Sequence, residues 1–391
     1  MIYFDNSATT APCREAIEAV KGALTESWGN PSSAHFAGVA AHRILEESKR
    51  QVALSIGMKR MTDGRLFFTS GGTEANNLAV FGSVYSKDRP KRGASRGTVI
   101  VSDGEHASVS AAAAKLEREG FRVYRIPTKG GKLDLEDLAK NVSPDVIFAS
   151  IMRVNNETGA IYDVKSAFRI IKDASPGAVL HSDCVQAYMK MKLNPRDLGA
   201  DMITLSAHKI FSAKGAGALY VSNETVKAKK IVPLLSGGGQ EEGYRSGTEA
   251  LPAIAGFGAA AAAGASALSE RISYCKELGD FAADRISGVA GTRLNLPAER
   301  LPNILSLTVF GIKSETLLNY LSGNGICVSK SSACSTRSRD LSPALRAFGL
   351  SDDDIDSTVR LSFSHLNTKE EIDVFCEVLT RGVATLSRIR K

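Results

Sequence analysis

A chain of 391 residues, 43% of them hydrophobic, is long enough for two domains with real cores, and it has no uninterrupted apolar stretch that could span a bilayer. Its net charge of +7 permits contact with acidic partners or RNA. However, the densest basic stretch, 87–96, has no aromatic residue for base stacking and reads as a solvated loop, so neither direct nucleic-acid binding nor a membrane location is expected. The start, Met1-Ile-Tyr-Phe-Asp5, has no basic segment followed by an apolar signal core, which predicts a cytoplasmic protein. Six cysteines (Cys13, Cys184, Cys275, Cys327, Cys334 and Cys376) form no C-x-x-C pair, and there is no H-E-x-x-H, so no metal site is expected.

In chain order, Ile44, Leu45, Ser48, Val52, Ala53 and Ile56 recur at helical spacing and predict a helix ahead of the first strand. Apolar runs predict strands at 66–69, 98–102, 121–126, 145–151, 178–181, 202–205 and 218–221. Helix-length segments at 74–85, 107–118 and 164–173 lie between several of them, and this alternation predicts an α/β domain with a mostly parallel sheet. Beyond about Leu251 the texture changes. An Ala/Gly-rich segment at 253–267 leads into a long helix pattern through Arg285, then a strand at 304–310, a helix near 315–321 and a terminal helix after Thr368. The expected organisation is a large domain, 13–254, and a smaller α+β domain made of 1–12 and 255–391, the latter holding a Ser/Gly-rich loop at about 323–339.

Open parallel sheets bind ligands beyond the C-terminal ends of their strands. Ser70-Gly-Gly-Thr-Glu74 follows one strand and opens a helix, where free N–H groups make a phosphate cradle. His106 follows the next strand, and an imidazole there can stack on an aromatic ring or move protons. Asn155 and Asn156 follow a third, and Asp183, with Gln186 three residues on, a fourth. A buried carboxylate needs a cationic partner, which a pyridinium nitrogen would supply. Lys209 ends a fifth strand, where a lysine amine can hold the aldehyde of pyridoxal phosphate. Singly, these residues read as helix caps, turns and a surface lysine. Five strand ends delivering a phosphate cradle, an imidazole, an amide, a carboxylate and a lysine together predict a pyridoxal phosphate site.

At this point the chain resembles the class V aminotransferases, and within them the cysteine desulfurases of the nitrogen-fixation and iron–sulfur-cluster type. The resemblance runs nearly end to end. Its motifs are Tyr3-Phe-Asp-Asn-Ser-Ala-Thr-Thr10, Gly29-Asn-Pro-Ser-Ser33 with His35 and Gly38, Thr69-Ser-Gly-Gly-Thr-Glu-Ala-Asn-Asn77, Glu105-His106, Val154-Asn-Asn-Glu-Thr-Gly159, His181-Ser-Asp-Cys-Val-Gln186 and Ser206-Ala-His-Lys209. Gly237-Gly-Gly239, Arg245-Ser-Gly-Thr248, Ser332-Ala-Cys334, Leu345-Arg-Ala-Phe-Gly349 and Val359-Arg-Leu-Ser-Phe363 complete the set. It implies the fold type I of pyridoxal phosphate enzymes and the removal of sulfur from L-cysteine to give L-alanine and a persulfide on Cys334, for passage to an acceptor in cluster assembly, tRNA thiolation or cofactor synthesis. It also implies roles. Lys209 holds the cofactor and moves the substrate Cα proton, Asp183 pairs with the ring nitrogen, Gln186 bonds the ring oxygen, and His106 stacks on the ring and assists proton transfer. Gly72, Thr73, Ser206 and His208 bind phosphate, with Thr248 reaching in from the second subunit of a homodimer. Asn156 and Arg360 hold the substrate carboxylate, Asn156 also lying against the cofactor.

Other outcomes would be transamination or selenocysteine cleavage on the same framework, or a non-catalytic sulfur-relay scaffold; Cys334 and the intact Lys209, Asp183 and His106 argue for the desulfurase. Three positions depart from the family pattern. Lys330-Ser-Ser-Ala-Cys334 stands where Ser-Gly-Ser-Ala-Cys is usual, so Ser331 is expected to restrict the loop and Lys330 to favour the Cys334 thiolate. The chain stops at Lys391 without the extension by which some relatives dock a cluster scaffold, which leaves the acceptor open. Cys184 replaces the usual Ala beside Asp183, and a packing role is expected over that of a second reactive thiol.

Overall fold

A computed structural model describes residues 1–87, 96–330 and 341–386. After a short strand β1 (Ile2–Tyr3), seven strands build one sheet: β2 (Arg65–Thr69), β3 (Thr98–Ser102), β4 (Arg122–Ile126), β5 (Val146–Ser150), β6 (Val179–Asp183), β7 (Met202–Ser206) and β8 (Gly217–Val221). Their spatial order is β2-β8-β7-β6-β5-β3-β4. Only β8 runs against its neighbours β2 and β7; every other pairing is parallel. All seven strands lie where the apolar runs predict them.

Strands β3, β6, β7 and β8 are buried along their whole length because both faces of the sheet are covered there, whereas the edge strand β4 leaves Arg122 and Arg125 exposed. Side chains alternate with period two. Phe67, Phe148, Met202 and Leu219 enter one core with the helices Gly72–Lys87 and Ala107–Arg118, while Leu66, Phe68, Leu180, Ile203 and Leu205 enter the other with Val164–Ala174. Strand β6 extends two residues past its predicted end. Its polar tail stays in the sheet because the Ser182 hydroxyl donates to the Ile151 carbonyl (2.7 Å) and the Asp183 carboxylate accepts from Asn76 (2.7 Å).

Strands β9 (Thr292–Leu294), β10 (Ile304–Val309), β12 (Ser329–Lys330) and β13 (Thr358–Ser362) form an antiparallel sheet in the order β12-β13-β10-β9, while β11 (Ile326–Cys327) pairs in parallel with β1. This part has its own core of Leu305, Leu307, Val359, Leu361 and Phe375, into which the N-terminal Phe4 packs edge-on against Phe363, ring centroids 4.8 Å apart. The N-terminus thus returns to the C-terminal part of the chain. The division expected between 254 and 255 falls inside the helix Leu251–Ser266, whose Ile254, Phe257, Ala260 and Ala261 pack in the large-sheet core; the core changes where this helix meets Leu268–Ser287 at a 74° bend. Among the described residues no single helix is long and apolar enough to cross a membrane.

Candidate active site

Because β2, β3, β5, β6 and β7 share one direction, their C-terminal ends open on one edge of the sheet. The turn after β2 is pressed onto that edge by glycine. A Cβ on Gly217 would lie 2.5 Å from the Gly71 carbonyl carbon, so two backbones touch there and no side chain fits. Gly72 opens the following helix, and a Cβ on it would meet Val185 at 3.1 Å and Ser206 at 3.6 Å. The Ser206 hydroxyl is buried with no hydrogen-bond partner. Thr73 is exposed in the same turn. Glu74 accepts from the Ser70 N–H (2.8 Å) and pairs with Arg245 (2.8 Å), tying the loop of the exposed Thr248 to this turn.

Asp183, 5% exposed, ends β6 with both carboxylate oxygens occupied: Asn76 donates to one (2.7 Å) and the Val185 N–H to the other (2.9 Å). Asn76 also reaches the Ser108 hydroxyl (2.8 Å), which in turn meets His106 Nδ1 at 2.8 Å. His106 caps the helix Ala107–Arg118, accepting from the Ser108 N–H. One polar chain therefore links the imidazole after β3 to the carboxylate of β6. Beneath it lies Glu105, whose Oε1 accepts from Ser102 (2.5 Å) and the Met152 N–H (2.7 Å), while Oε2 is buried without a partner.

Burial pushes the Glu105 carboxyl up to about 8. The unfolded chain releases that proton near the ordinary glutamate value, so between the two values only the folded state holds it. The stability this supplies is complete below the ordinary value and is lost as pH rises through about 8. Melting temperature should therefore fall between about pH 5 and about pH 8.5, and Glu105→Gln should make that fall shallower by a few degrees. An unchanged slope in a calorimetric pH series would refute the assignment.

Lys209 follows β7, and its amine donates to the Ser7 and Ala8 carbonyls at 2.6 and 2.7 Å. The Gln186 amide donates to the same Ser7 carbonyl (2.9 Å), and Lys190 donates to the Gln186 oxygen (2.8 Å). His208 Nδ1 lies 3.2 Å from the Thr9 hydroxyl. Burial and the Lys209 charge push the His208 imidazole down to about 4, leaving it neutral at ordinary pH.

Arg360, on β13 and 3% exposed, donates to the Asp5 carboxylate (2.8 Å) and the Asn156 carbonyl (3.0 Å), while its Nε is buried without a partner. Asn156 thus meets Arg360 through its backbone. Asp5 also accepts from Ser329 (2.7 Å), and Glu157 from Ser342 (2.6 Å), so the two strands of chain flanking 331–341 are each held by a carboxylate. Cys334 and Ser331 lie outside the described residues. Cys184 is fully buried in the large-sheet core, its thiol pushed up to about 12 by burial, as packing requires.

Asn76, Ser108, Lys190 and Asp5 are the polar groups that the motifs do not single out. Asn76 and Asp5 sit inside the quoted motifs, but only the folded chain pairs them with Asp183 and Arg360. Ser108 and Lys190 carry no sequence signal beyond lying two and four residues from His106 and Gln186.

The family model of the class-V aminotransferases matches residues 2–375. A NifS/IcsS protein homolog of Lactobacillus delbrueckii subsp. bulgaricus is 39% identical over 96% of this chain and 95% of its own length. The cysteine desulfurase IscS 1 of Archaeoglobus fulgidus is 36% identical over 97% and 96%. Among solved structures, a NifS-like protein superposes with a TM-score of 0.87 at 33% identity, covering 98% of this chain and 99% of that one. A match of this extent leaves one conclusion: the chain belongs to the class-V aminotransferase family.

Proposed function

We propose that the protein is a cysteine desulfurase, converting L-cysteine and the Cys334 thiol into L-alanine and a Cys334 persulfide. The observation that carries this reading is the delivery, by separate strand ends, of Lys209, Asp183, the His106 chain and a glycine turn to one sheet edge. The relatives named as cysteine desulfurases support it.

These residues fit pyridoxal phosphate. The unpartnered Ser206 hydroxyl beside Gly72 offers an acceptor-seeking donor where the helix Gly72–Lys87 presents its first N–H groups, a setting for phosphate that Thr73 and His208 would share. Asp183 would serve the ring nitrogen, Gln186 the ring oxygen, His106 would stack on the ring and Lys209 would be the covalent anchor. When bound, the cofactor supplies an electron sink that acidifies the substrate Cα.

The protein residues do the rest. Arg360, with its free Nε, binds the substrate carboxylate together with Asn156. The Lys209 amine takes the Cα proton and returns one to the same carbon. The Cys334 thiolate takes the substrate sulfur: an S–S bond forms as the C–S bond breaks, the electron pair of that bond stays with Cβ, Cβ takes up the proton that the Cys334 thiol gave up, and the substrate leaves as alanine. The persulfide then passes its outer sulfur to a cluster scaffold or a tRNA-thiolation enzyme. The protein works as a cytoplasmic homodimer, in which the exposed Thr248 reaches the second copy's phosphate site.

Purified protein supplied with L-cysteine and a thiol reductant should release alanine and sulfide in equal amounts. Keto acid without alanine would replace this reading with transamination. Turnover confined to L-selenocysteine would replace it with selenocysteine cleavage. A protein that neither absorbs visible light nor turns over any of these would be a relay scaffold.

A further inference from the structure

We infer that Lys190 is a positioning residue of the site, orienting the Gln186 amide and placing a second positive charge beside Lys209; this rests on the pyridoxal phosphate reading above. The geometry is a short chain of hydrogen bonds. Lys190 Nζ donates to Gln186 Oε1 (2.8 Å), Gln186 Nε2 donates to the Ser7 carbonyl (2.9 Å), and Lys209 Nζ donates to that same carbonyl (2.6 Å). An amide has two nearly isosteric ends, and its neighbours decide which way it faces. An ammonium has only donors. It therefore holds the Gln186 oxygen on its own side and turns the NH2 toward Ser7 and Lys209.

The backbone is bent to make this contact. Met189 adopts a φ of 57°, a left-handed conformation that a bulky residue rarely takes. Room for its side chain comes from Gly264, where a Cβ would sit 3.0 Å from the Met189 sulfur. The strained turn aims Lys190 into a cavity of about 50 Å³ that Lys209 also lines.

The charge in that cavity is one-sided. Lys190 and Lys209 meet Arg271 and Cys275 of the helix Leu268–Ser287 and His365 after β13, and no Asp or Glu is among the described lining residues. Arg360 of β13, itself paired with Asp5 at 2.8 Å, acts on Lys190 from outside the lining. Burial first, then Lys209 and Arg360, push Lys190 down to about 7, so it retains a large share of its charge near neutral pH. A cation held beside Lys209 disfavours a proton at Lys209, which keeps that nitrogen closer to its base form.

The test is an absorbance titration of the cofactor-loaded protein without cysteine. In Lys190→Met the pH midpoint of the lysine-bound chromophore should rise by on the order of one unit, while Lys190→Arg should stay near the wild type. A midpoint in Lys190→Met equal to that of the wild type would overturn the inference. Lys190→Gln, neutral and polar, gives the same reading should the Met variant not fold. A wild-type protein with no visible band after incubation with pyridoxal phosphate would instead overturn the reading of the site itself.

Discussion

Replacing Lys209 with alanine is expected to lower alanine and sulfide formation by about 10²- to 10⁴-fold, the range spanned by loss of a positioned general base. The loss has no local substitute. Lys190 is the other amine lining the same cavity, but its Nζ is engaged by Gln186. The variant should also lose the visible band of the lysine-bound cofactor, which separates a missing anchor from a misfolded protein. Cys334→Ala is the companion: it should keep that band and lose sulfide release, because the Lys209 side of the site is intact and only the sulfur acceptor is gone. Single-turnover alanine formation together with absorbance distinguishes the two variants. Sulfide release undiminished in Cys334→Ala would reject the desulfurase reading.

Arg360→Ala should reduce kcat/KM for L-cysteine roughly 30- to 4,000-fold, about 2–5 kcal/mol, as for truncation of one partner of a hydrogen-bonded charge pair. Part of this is the lost recognition of the substrate carboxylate. Part is structural, because the partly buried Asp5 would be left beside Ser329 with its cation removed. The two parts can be read apart. Substrate recognition appears in KM, whereas the stranded Asp5 appears as a lower melting temperature that Asp5→Asn, added to Arg360→Ala, should partly restore. Arg360→Lys should recover stability better than kcat/KM, since a point charge cannot grip Asp5, the Asn156 carbonyl and a carboxylate in one plane. An Arg360→Ala variant with unchanged KM would exclude Arg360 from substrate binding.

Much of this architecture was legible in the chain. Where the sheet is covered on both faces its strands are buried on both sides, as β3, β6, β7 and β8 are throughout, so such a strand shows as a run that needs no partner to be recognised; the edge strand β4 keeps Arg122 and Arg125 exposed. The polar residues Asp183 and Lys209 stand out because they interrupt or end such runs. The end of β6 was less legible. Ser182 and Asp183 look like loop residues until Ile151 and Asn76 supply their hydrogen-bond partners from other strands and helices. The helix Leu251–Ser266 misleads in another way. Its Ala/Gly composition marks a change of texture, yet those small residues let it lie close against Arg14–Thr25 and Phe36–Ser55, where a Cβ on Gly258 would be 2.6 Å from the Ser48 backbone.

The sequence by itself determined the fold class, the order of strands and helices, and the set of residue types at the strand ends, because these follow from local periodicity and from motifs a few residues long. Tertiary structure alone decided which of those groups meet. Asn76 reaches Asp183 across 107 positions, Lys209 reaches Ser7 across 202, and Arg360 reaches Asp5 across 355. Hydrogen bonds and ion pairs act over a few ångströms, so only the packed sheet, with its common edge and the N-terminal segment laid across it, brings residues so distant in the chain within their range.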